Sequence, residues 1–200
     1  QAEDPSFSYG DMTSVAVDTQ NDRIAVALQD SVYSNPGRVA VLNYDNEITA
    51  VYTVGVQPDM VTFAENGRYI LTADEGEPRN GYGAGEIDPA GSVSVIDTQK
   101  TENAVTVAGF AGFDSAELAA KGVIINKVNG EALTAAADLE PEYIAVNGGK
   151  AYVALQEANA VAVLDIASAH FENIFPLGFK DHSLDRNAID LNDEDGEYAP

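Results

Sequence analysis

The chain has 200 residues, 45% of them hydrophobic, which suits one large domain or two small ones with a packed core. Its net charge of −23, from 33 acidic and 10 basic residues, argues against nucleic acid and anionic membrane surfaces as partners, because both would repel it. The same balance favours cations, basic partners or a high-salt medium.

Cysteine is absent, which excludes disulfides, thiol catalysis and zinc–cysteine sites. No apolar run approaches the length of a membrane span, so we expect no direct membrane insertion. The first residues, QAEDPSF, contain neither methionine nor a signal peptide, and we interpret them as a mature or trimmed start. Scattered acids and scarce lysine fit a secreted protein.

Three segments of the chain repeat one pattern of strands and turns. They begin at Thr13, Asp59 and Glu142, and each reads as a strand, a tight turn, a second strand, a polar loop and a third strand. The predicted tight turns are Asn21-Asp22, Asn66-Gly67 and Gly148-Gly149, dipeptides that can take positive φ. The candidate fourth strands are 48–55, 104–110 and 172–178.

Four antiparallel strands, repeated along a chain, indicate the blades of a β-propeller. The first two repeats start 46 residues apart, which is typical of such blades. Two insertions, 76–90 and 111–140, delay the third repeat. The second insertion contains the helix candidate DSAELAAKG, with Asp114 or Ser115 as its N-cap and Gly122 as its stop.

The sequence therefore predicts an all-β protein with a short helical insertion. We expect about three to four four-stranded antiparallel blades, within a single propeller segment that covers residues 1–200 and is part of a longer propeller. The predicted parts are blades at 13–55, 56–110 and 141–179, the insertion at 111–140 and an acidic C-terminal loop at 180–200.

Several stretches resemble the choice-of-anchor I family, bacterial surface or secreted proteins with YVTN/LVIVD-like propeller repeats. They are QPDMVTFAENGRYILTADEGEP, GSVSVID, DLEPEYIAV, AYVALQEANAVAVLDI and PLGFKDHSL, which span most of residues 55–198. The resemblance implies an extracellular or envelope-exposed propeller, of which this chain looks like a fragment. It implies no defined reaction, although some relatives carry alkaline-phosphatase-like labels. The stretch NAIDLNDEDG departs from the family's NGLDASDRDG, with Ala188 in place of a glycine.

The repeats bring acidic residues into register at the ends of strands. Three sets correspond in the alignment: Thr13, Asp59 and Glu142; Gln29, Asp74 and Gln156; and Asp30, Glu75 and Glu157. In a propeller the first strand is innermost and antiparallel to the second, so the end of the second strand lies beside the start of the first. We therefore expect an arc of carboxylates on one rim of the propeller.

Calcium is the cation expected on this rim, because it takes six to eight oxygen ligands in irregular geometry. The predicted metal-ligating residues are Asp74, Glu75, Glu77, Asp138, Glu140, Glu142, Glu157, Asp190, Asp193 and Asp195. In the alternative interpretation, these acids cap turns and face water. The stretch DLNDEDG fails as an EF-hand loop, because Leu191 stands at the first ligand position when Gly196 is the sixth residue.

Two functions from different classes remain open on the sequence. The first is an extracellular or envelope-associated binding or scaffold module, with a protein or surface ligand as partner and self-association through open sheet edges. The second is a metal-dependent phosphoesterase in which His182 and Asp181 act near an acidic metal site. For His182, a hydrogen-bonded turn residue is the alternative interpretation. Walker, HExxH and GxSxG motifs are absent.

Overall fold

Residues 6–188 are described by a computed structural model, and they form three four-stranded antiparallel sheets. Blade 1 contains β1 (Tyr9–Asp18), β2 (Arg23–Asp30), β3 (Pro36–Asn43) and β4 (Ile48–Val56). Blade 2 contains β5 (Pro58–Ala64), β6 (Tyr69–Asp74), β7 (Ser92–Asp97) and β8 (Val105–Gly109). In each sheet the strands are hydrogen-bonded in chain order.

A helical insertion separates blade 2 from blade 3. It contains α1 (Ser115–Lys121), a two-stranded ribbon of β9 (Lys127–Val128) and β10 (Glu131–Ala132), and α2 (Ala135–Asp138). Blade 3 contains β11 (Pro141–Asn147), β12 (Lys150–Leu155), β13 (Ala160–Asp165) and β14 (His170–Pro176), and a short 3-10 helix follows at Asp185–Asn187. The predicted all-β propeller fold with a short helical insertion is confirmed. Blade 1 begins at Tyr9, earlier than the predicted start at residue 13.

The blades pack face to face around their innermost strands. β5 contacts both β1 and β11, so the first strands of the three blades are neighbours. The core between blades 1 and 2 includes Val39, Val41 and Ile70, and the core between blades 2 and 3 includes Leu71 and Val153. Every residue of β6 and β7 is buried, because the middle blade is covered on both faces.

Residues with positive φ form the tight turns between the first two strands of each blade. Asn66, Gly67, Gly148 and Gly149 all have positive φ, and in blade 1 Asp22 does so. Strand twist favours such turns in short hairpins, and Asn, Asp and Gly tolerate them best. The turns lie at the ends of the blades opposite the predicted acidic rim.

The helix in the insertion begins and ends as its sequence indicates. Asp114 is the N-cap, and its carboxylate accepts hydrogen bonds from the amides of Ala116 and Glu117. Gly122 ends the helix in the left-handed conformation, with a φ of 100°. Leu118 is buried in the core shared by blades 2 and 3, so the insertion packs against the blades.

Gly91, just before β7, lies close to the end of the insertion and the start of β11. A Cβ at this position would lie 2.1 Å from the carbonyl oxygen of Leu139 and 2.9 Å from the ring of Pro141. The amide of Gly91 also donates a hydrogen bond to the carbonyl oxygen of Ala136. A side chain at Gly91 would therefore push the insertion and β11 away from blade 2.

We predict that Gly91→Ala lowers the free energy of unfolding by about 1–3 kcal/mol, because the backbone around Leu139 would have to move. Gly109→Ala is the matched control, since a Cβ there meets nothing closer than 3.9 Å. Chemical denaturation of both variants measures the difference. Equal stabilities of the two variants would show that the insertion is not held tightly against blade 2.

Candidate functional site: the acidic rim

The first strand of each blade contains a β-bulge near its start. The register skips one residue between Met12 and Ser14, between Pro58 and Met60, and between Pro141 and Tyr143. The skipped residues are Thr13, Asp59 and Glu142, so the predicted correspondence of these three residues is confirmed. A bulge bends the strand and turns the extra residue away from the ladder, which places Asp59 and Glu142 at the same point of neighbouring blades.

At the end of the second strand, the predicted correspondence is wrong by one residue. The pairs before the bulges are Met12 with Leu28, Pro58 with Asp74, and Pro141 with Leu155. Asp74 therefore corresponds to Leu28 and Leu155, and not to Gln29 and Gln156. The alignment matched similar polar side chains at the strand end, whereas the hydrogen-bonded ladder sets the register. By the same shift, Asp30 and Glu157 correspond to Gly76 rather than to Glu75.

Asp74 points into the protein between blades 1 and 2. It is fully buried, and its carboxylate accepts hydrogen bonds from the hydroxyls of Thr72 (2.7 Å), Ser92 (3.0 Å) and Ser94 (2.6 Å). Burial raises the pKa of Asp74 to about 6, although these hydroxyls oppose the shift. A Cβ at Gly55 would lie 2.4 Å from the Asp74 carboxylate, so β4 carries a glycine there. Asp74 is thus separate from the rim.

The acidic rim, as defined by the structure, consists of Asp59, Glu75, Glu77, Glu140, Glu142 and Glu157. The carboxyl groups of Glu142 and Glu157 lie close enough to form a hydrogen bond when one of them is protonated. Burial, followed by repulsion from Glu157, raises the pKa of Glu142 to about 7. The two residues extend from the start of β11 and from the turn after β12.

Glu140 is the rim residue whose charge is least favoured. Burial raises its pKa to about 8, and repulsion from Glu157, Glu75 and Glu77 adds to the shift. The pKa of Glu75 is also raised, by burial and then by repulsion from Glu77 and Asp59. Acids from the starts and ends of strands in blades 2 and 3 therefore share one electrostatic environment.

Arg79, in the loop after β6, pairs with two of these acids. Its guanidinium lies 3.5 Å from the carboxylate of Glu75 and 3.2 Å from that of Glu77. Its Nε also donates to the side-chain oxygen of Gln57 at 3.0 Å, and the Gln57 amide nitrogen donates to the carbonyl oxygens of Tyr33 and Glu77. Gln57 is buried and has a positive φ of 54°, so it anchors the loop at the junction of blades 1 and 2.

Sequence reasoning missed the role of Gln57 and did not place Arg79 on the rim. Gln57 stands directly before Pro58, as Glu140 stands directly before Pro141. This repeated position before the first strand of a blade was the signal that could have identified Gln57. Arg79 lies in an insertion without a counterpart in the other blades, so the repeat pattern could not place it.

Two other predicted acids have structural roles of their own. Asp138 is buried, and its carboxylate accepts a hydrogen bond of 2.8 Å from the amide of Asn126, which fastens the insertion. Asp30 is also buried. Although burial opposes the shift, hydrogen bonds from the amides of Ser8 and Val32 and from Asn35 hold its pKa below the ordinary value. Asp190, Asp193 and Asp195 lie outside the described residues.

His182 and Asp181 occupy an exposed turn after blade 3. Asp181 accepts hydrogen bonds from the amide and hydroxyl of Ser183, which lower its pKa. The Nδ1 atom of His182 lies 2.6 Å from the carbonyl oxygen of Asn187. Among the described contacts, neither residue interacts with the acidic rim. The geometry thus agrees with the turn interpretation of His182, and it does not favour the phosphoesterase alternative.

The rim as it stands provides fewer convergent oxygens than a calcium ion takes. Within residues 6–188, no three Asp, Glu or His side chains are grouped closely enough to hold a metal ion. Calcium takes six to eight oxygen ligands, whereas Glu142 and Glu157 offer one close pair of carboxyl groups. A calcium site here would require neighbouring acids to change rotamer, and it remains a prediction.

The chain matches the choice-of-anchor I domain family over residues 1–200. It belongs to this family. No curated protein sequence matches this choice-of-anchor I domain. None of the helices described between residues 6 and 188 has the length and apolar character needed to cross a membrane.

Solved structures are similar to the choice-of-anchor I domain at low sequence identity. Hydrazine synthase of Kuenenia stuttgartiensis is 13% identical with a TM-score of 0.53, and the match covers 81% of this chain and 49% of that chain. The β-propeller domain of the Trilobed protease from Pyrococcus furiosus is 10% identical with a TM-score of 0.47, over 84% of this chain and 43% of that chain. The choice-of-anchor I domain thus spans about half the length of the structures it matches.

We predict that the domain loses stability as the pH rises from about 5 to about 9. The folded-state pKa values of Glu140 and Glu142 lie above the ordinary value of 4.5, so the folded protein binds protons that the unfolded chain releases. The stabilisation is fully present below pH 4.5, the ordinary pKa of glutamate, and it is lost as the pH rises from there to about 8. Thermal unfolding at fixed ionic strength measures the change.

The double variant Glu140→Gln, Glu142→Gln should have a flatter pH profile and a higher melting temperature at alkaline pH, since it removes two repelling charges. Glu65→Gln combined with Glu117→Gln is the matched control, because it changes the net charge equally at positions outside the rim. A control profile as flat as that of the rim variant would mean that overall charge, rather than the rim, causes the dependence.

Proposed function

We propose that this choice-of-anchor I domain is a non-catalytic binding module, secreted or held in the bacterial cell envelope, and that its acidic rim binds calcium. The observation that carries the proposal is the contact between the carboxyl groups of Glu142 and Glu157 amid four further rim acids. Family membership supports a propeller that serves as a surface or binding module.

The electrostatics of the rim favour a divalent cation. Repulsion among Glu140, Glu142 and Glu157 makes each negative charge costly, and a cation held between them would convert repulsion into attraction. Arg79 already offsets part of the negative charge of Glu75 and Glu77 on one side of the rim. The uncompensated charge therefore lies on the side of blade 3.

The expected partner is a protein or surface ligand that reaches the rim directly or through the calcium ion. The net charge of −23 favours basic groups on such a partner. Loops such as 76–90 stand beside the rim, where a propeller presents variable segments to ligands.

We predict that millimolar calcium raises the melting temperature of the domain by about 3–6 °C, the effect expected when free calcium exceeds its dissociation constant about tenfold. Because the ligating carboxylates must be deprotonated, the response should be larger near pH 8 than near pH 6. Differential scanning calorimetry with and without calcium, at matched ionic strength, measures it.

Glu142→Gln combined with Glu157→Gln should abolish the calcium response, and the pair Glu65→Gln and Glu117→Gln should retain it. A parent protein whose melting curve ignores calcium would refute the calcium site. A chromogenic phosphate ester provides the test of the binding assignment: turnover that disappears with a chelator would show an enzyme instead of a binding module.

A further inference from the structure

The loop at 76–90 contains an aspartate–proline bond, between Asp88 and Pro89. This loop joins β6 to β7 in blade 2, which has a neighbouring blade on each side. Asp88 is partly buried and Pro89 is buried, whereas Ile87 and Ala90 on either side of them are exposed. The two bonded residues are therefore held against the protein at a place that water can reach.

One carboxyl oxygen of Asp88 has no hydrogen-bond donor. Within residues 6–188, its Oδ1 atom is shielded from solvent and accepts no hydrogen bond from the protein. A buried carboxylate oxygen without a donor is costly, so the protonated form of the group is favoured.

The charged groups around Asp88 act in the same direction. Burial, followed by repulsion from Asp138 of α2, raises the pKa of Asp88. Among the described residues, no basic side chain opposes this shift. In the same loop, burial, followed by repulsion from Asp88, raises the pKa of the Tyr82 phenol. Asp88 therefore keeps its proton to a higher pH than an ordinary aspartate does.

A protonated aspartate before a proline can cleave its own peptide bond. A carboxyl oxygen attacks the main-chain carbonyl carbon of the same residue, which closes a five-membered anhydride ring. The carboxyl proton moves to the proline nitrogen, and the bond between the carbonyl carbon and this nitrogen breaks. The nitrogen belongs to a tertiary amide, so it leaves as a secondary amine. One water molecule then hydrolyses the anhydride to two carboxyl groups.

The surroundings of Asp88 favour this reaction in three ways. Because no donor holds the Oδ1 atom, the carboxyl group can turn towards the carbonyl carbon without breaking a hydrogen bond. Its raised pKa retains the proton that the departing nitrogen needs. Solvent at Ile87 and Ala90 supplies the water for the second step.

We propose that the bond between Asp88 and Pro89 is a self-cleavage site, at which the chain divides into fragments 1–88 and 89–200 that remain in one folded domain. Asp74 pairs with Ser92 where the loop leaves and rejoins the sheet, so the ladder of β6 and β7 holds the fragments together after the cut.

The two halves of the loop have separate attachments. The Tyr33 hydroxyl of blade 1 donates a hydrogen bond of 3.0 Å to the carbonyl oxygen of Ile87 and accepts one of 3.3 Å from its amide. The amide of Gly91 donates a hydrogen bond of 3.0 Å to the carbonyl oxygen of Ala136 in the insertion. A cut after Asp88 would therefore end the covalent link that the loop makes between blade 1 and the insertion.

Mass spectrometry of the folded chain, incubated with protease inhibitors, tests the proposal. Buffers from about pH 5 to about pH 8 keep the protein above its isoelectric point of about 4.1. The expected fragments have masses that add up to the 21.1-kDa chain plus one water, and the second fragment begins PAGSVSV. Cleavage should become faster as the pH falls, because the protonated carboxyl group is the reactive form.

A second aspartate–proline bond in the same chain, between Asp4 and Pro5, is the internal control. In the folded protein, the bond after Asp88 should be cleaved roughly tenfold faster or more than the bond after Asp4 at the same pH. In concentrated urea the two rates should become similar, because the surroundings of Asp88 are lost. Equal rates in the folded protein would mean ordinary acid hydrolysis and would overturn the proposal.

Asp88→Glu keeps a carboxyl group but requires a larger ring, so it should slow cleavage at this bond roughly tenfold or more. Pro89→Ala replaces the tertiary amide and should have the same effect, which provides a second variant if the first does not fold. Circular dichroism reports folding. Asp138→Asn removes the neighbouring charge, and it should shift the pH dependence of cleavage to lower pH.

Three further outcomes would overturn the proposal. They are a folded parent chain that stays intact at every pH, cleavage that stops when protease inhibitors are added, and an Asp88→Glu rate equal to that of the parent. None of these measurements depends on the calcium response.

Discussion

The rest of the structure depends on the packing of one sheet face on the next. A single four-stranded sheet of this protein has apolar side chains on both faces, so it needs a neighbour on each side to remove them from water. β6 and β7 in the middle blade have such neighbours, and all their residues are buried. Within residues 6–188, the outer blades have one neighbour each, and Val51 of blade 1 and Phe175 of blade 3 are more than half exposed. Stacking, more than any single contact, determines which residues form the core.

The same stacking creates the acidic rim. Since β1, β5 and β11 lie side by side, residues at equivalent positions of neighbouring blades are brought close together. The bulges at Asp59 and Glu142 turn these acids towards one another instead of into the ladders. Burial, followed by repulsion from neighbouring carboxylates, raises the pKa of Glu140 and Glu142, so their charged forms are unfavourable on the rim. Apolar packing beneath the rim offsets this cost, so the rim is available for a ligand that compensates the charge.

The repeat pattern in the sequence predicted the structural elements that all three blades share. It did not predict the positions of side chains that differ between blades. The sheets, the turns at Asn66-Gly67 and Gly148-Gly149, and the helix cap at Asp114 all follow from local residue preferences. Asp74 was predicted on the rim, because its side chain matches the polar residues that end the other strands. The hydrogen-bonded ladder instead aligns Asp74 with Leu28 and Leu155, one residue earlier than the polar residues, and in an alternating strand a shift of one residue moves the side chain to the opposite face. Matching residue types along the sequence does not reveal which residues are paired in the ladder.

The acidic rim and the outer apolar sheet faces are different surfaces of this protein. The formal charge of −23 counts Glu140 and Glu142 as fully ionised, whereas their raised pKa values leave both partly protonated near neutral pH. The rim therefore limits its own charge by holding protons, and a cation that displaced them would not alter the outer sheet faces. The exposed side chains on those faces, such as Val51 and Phe175, are uncharged, so the free energy of burying them depends on apolar area and shape rather than on the net charge.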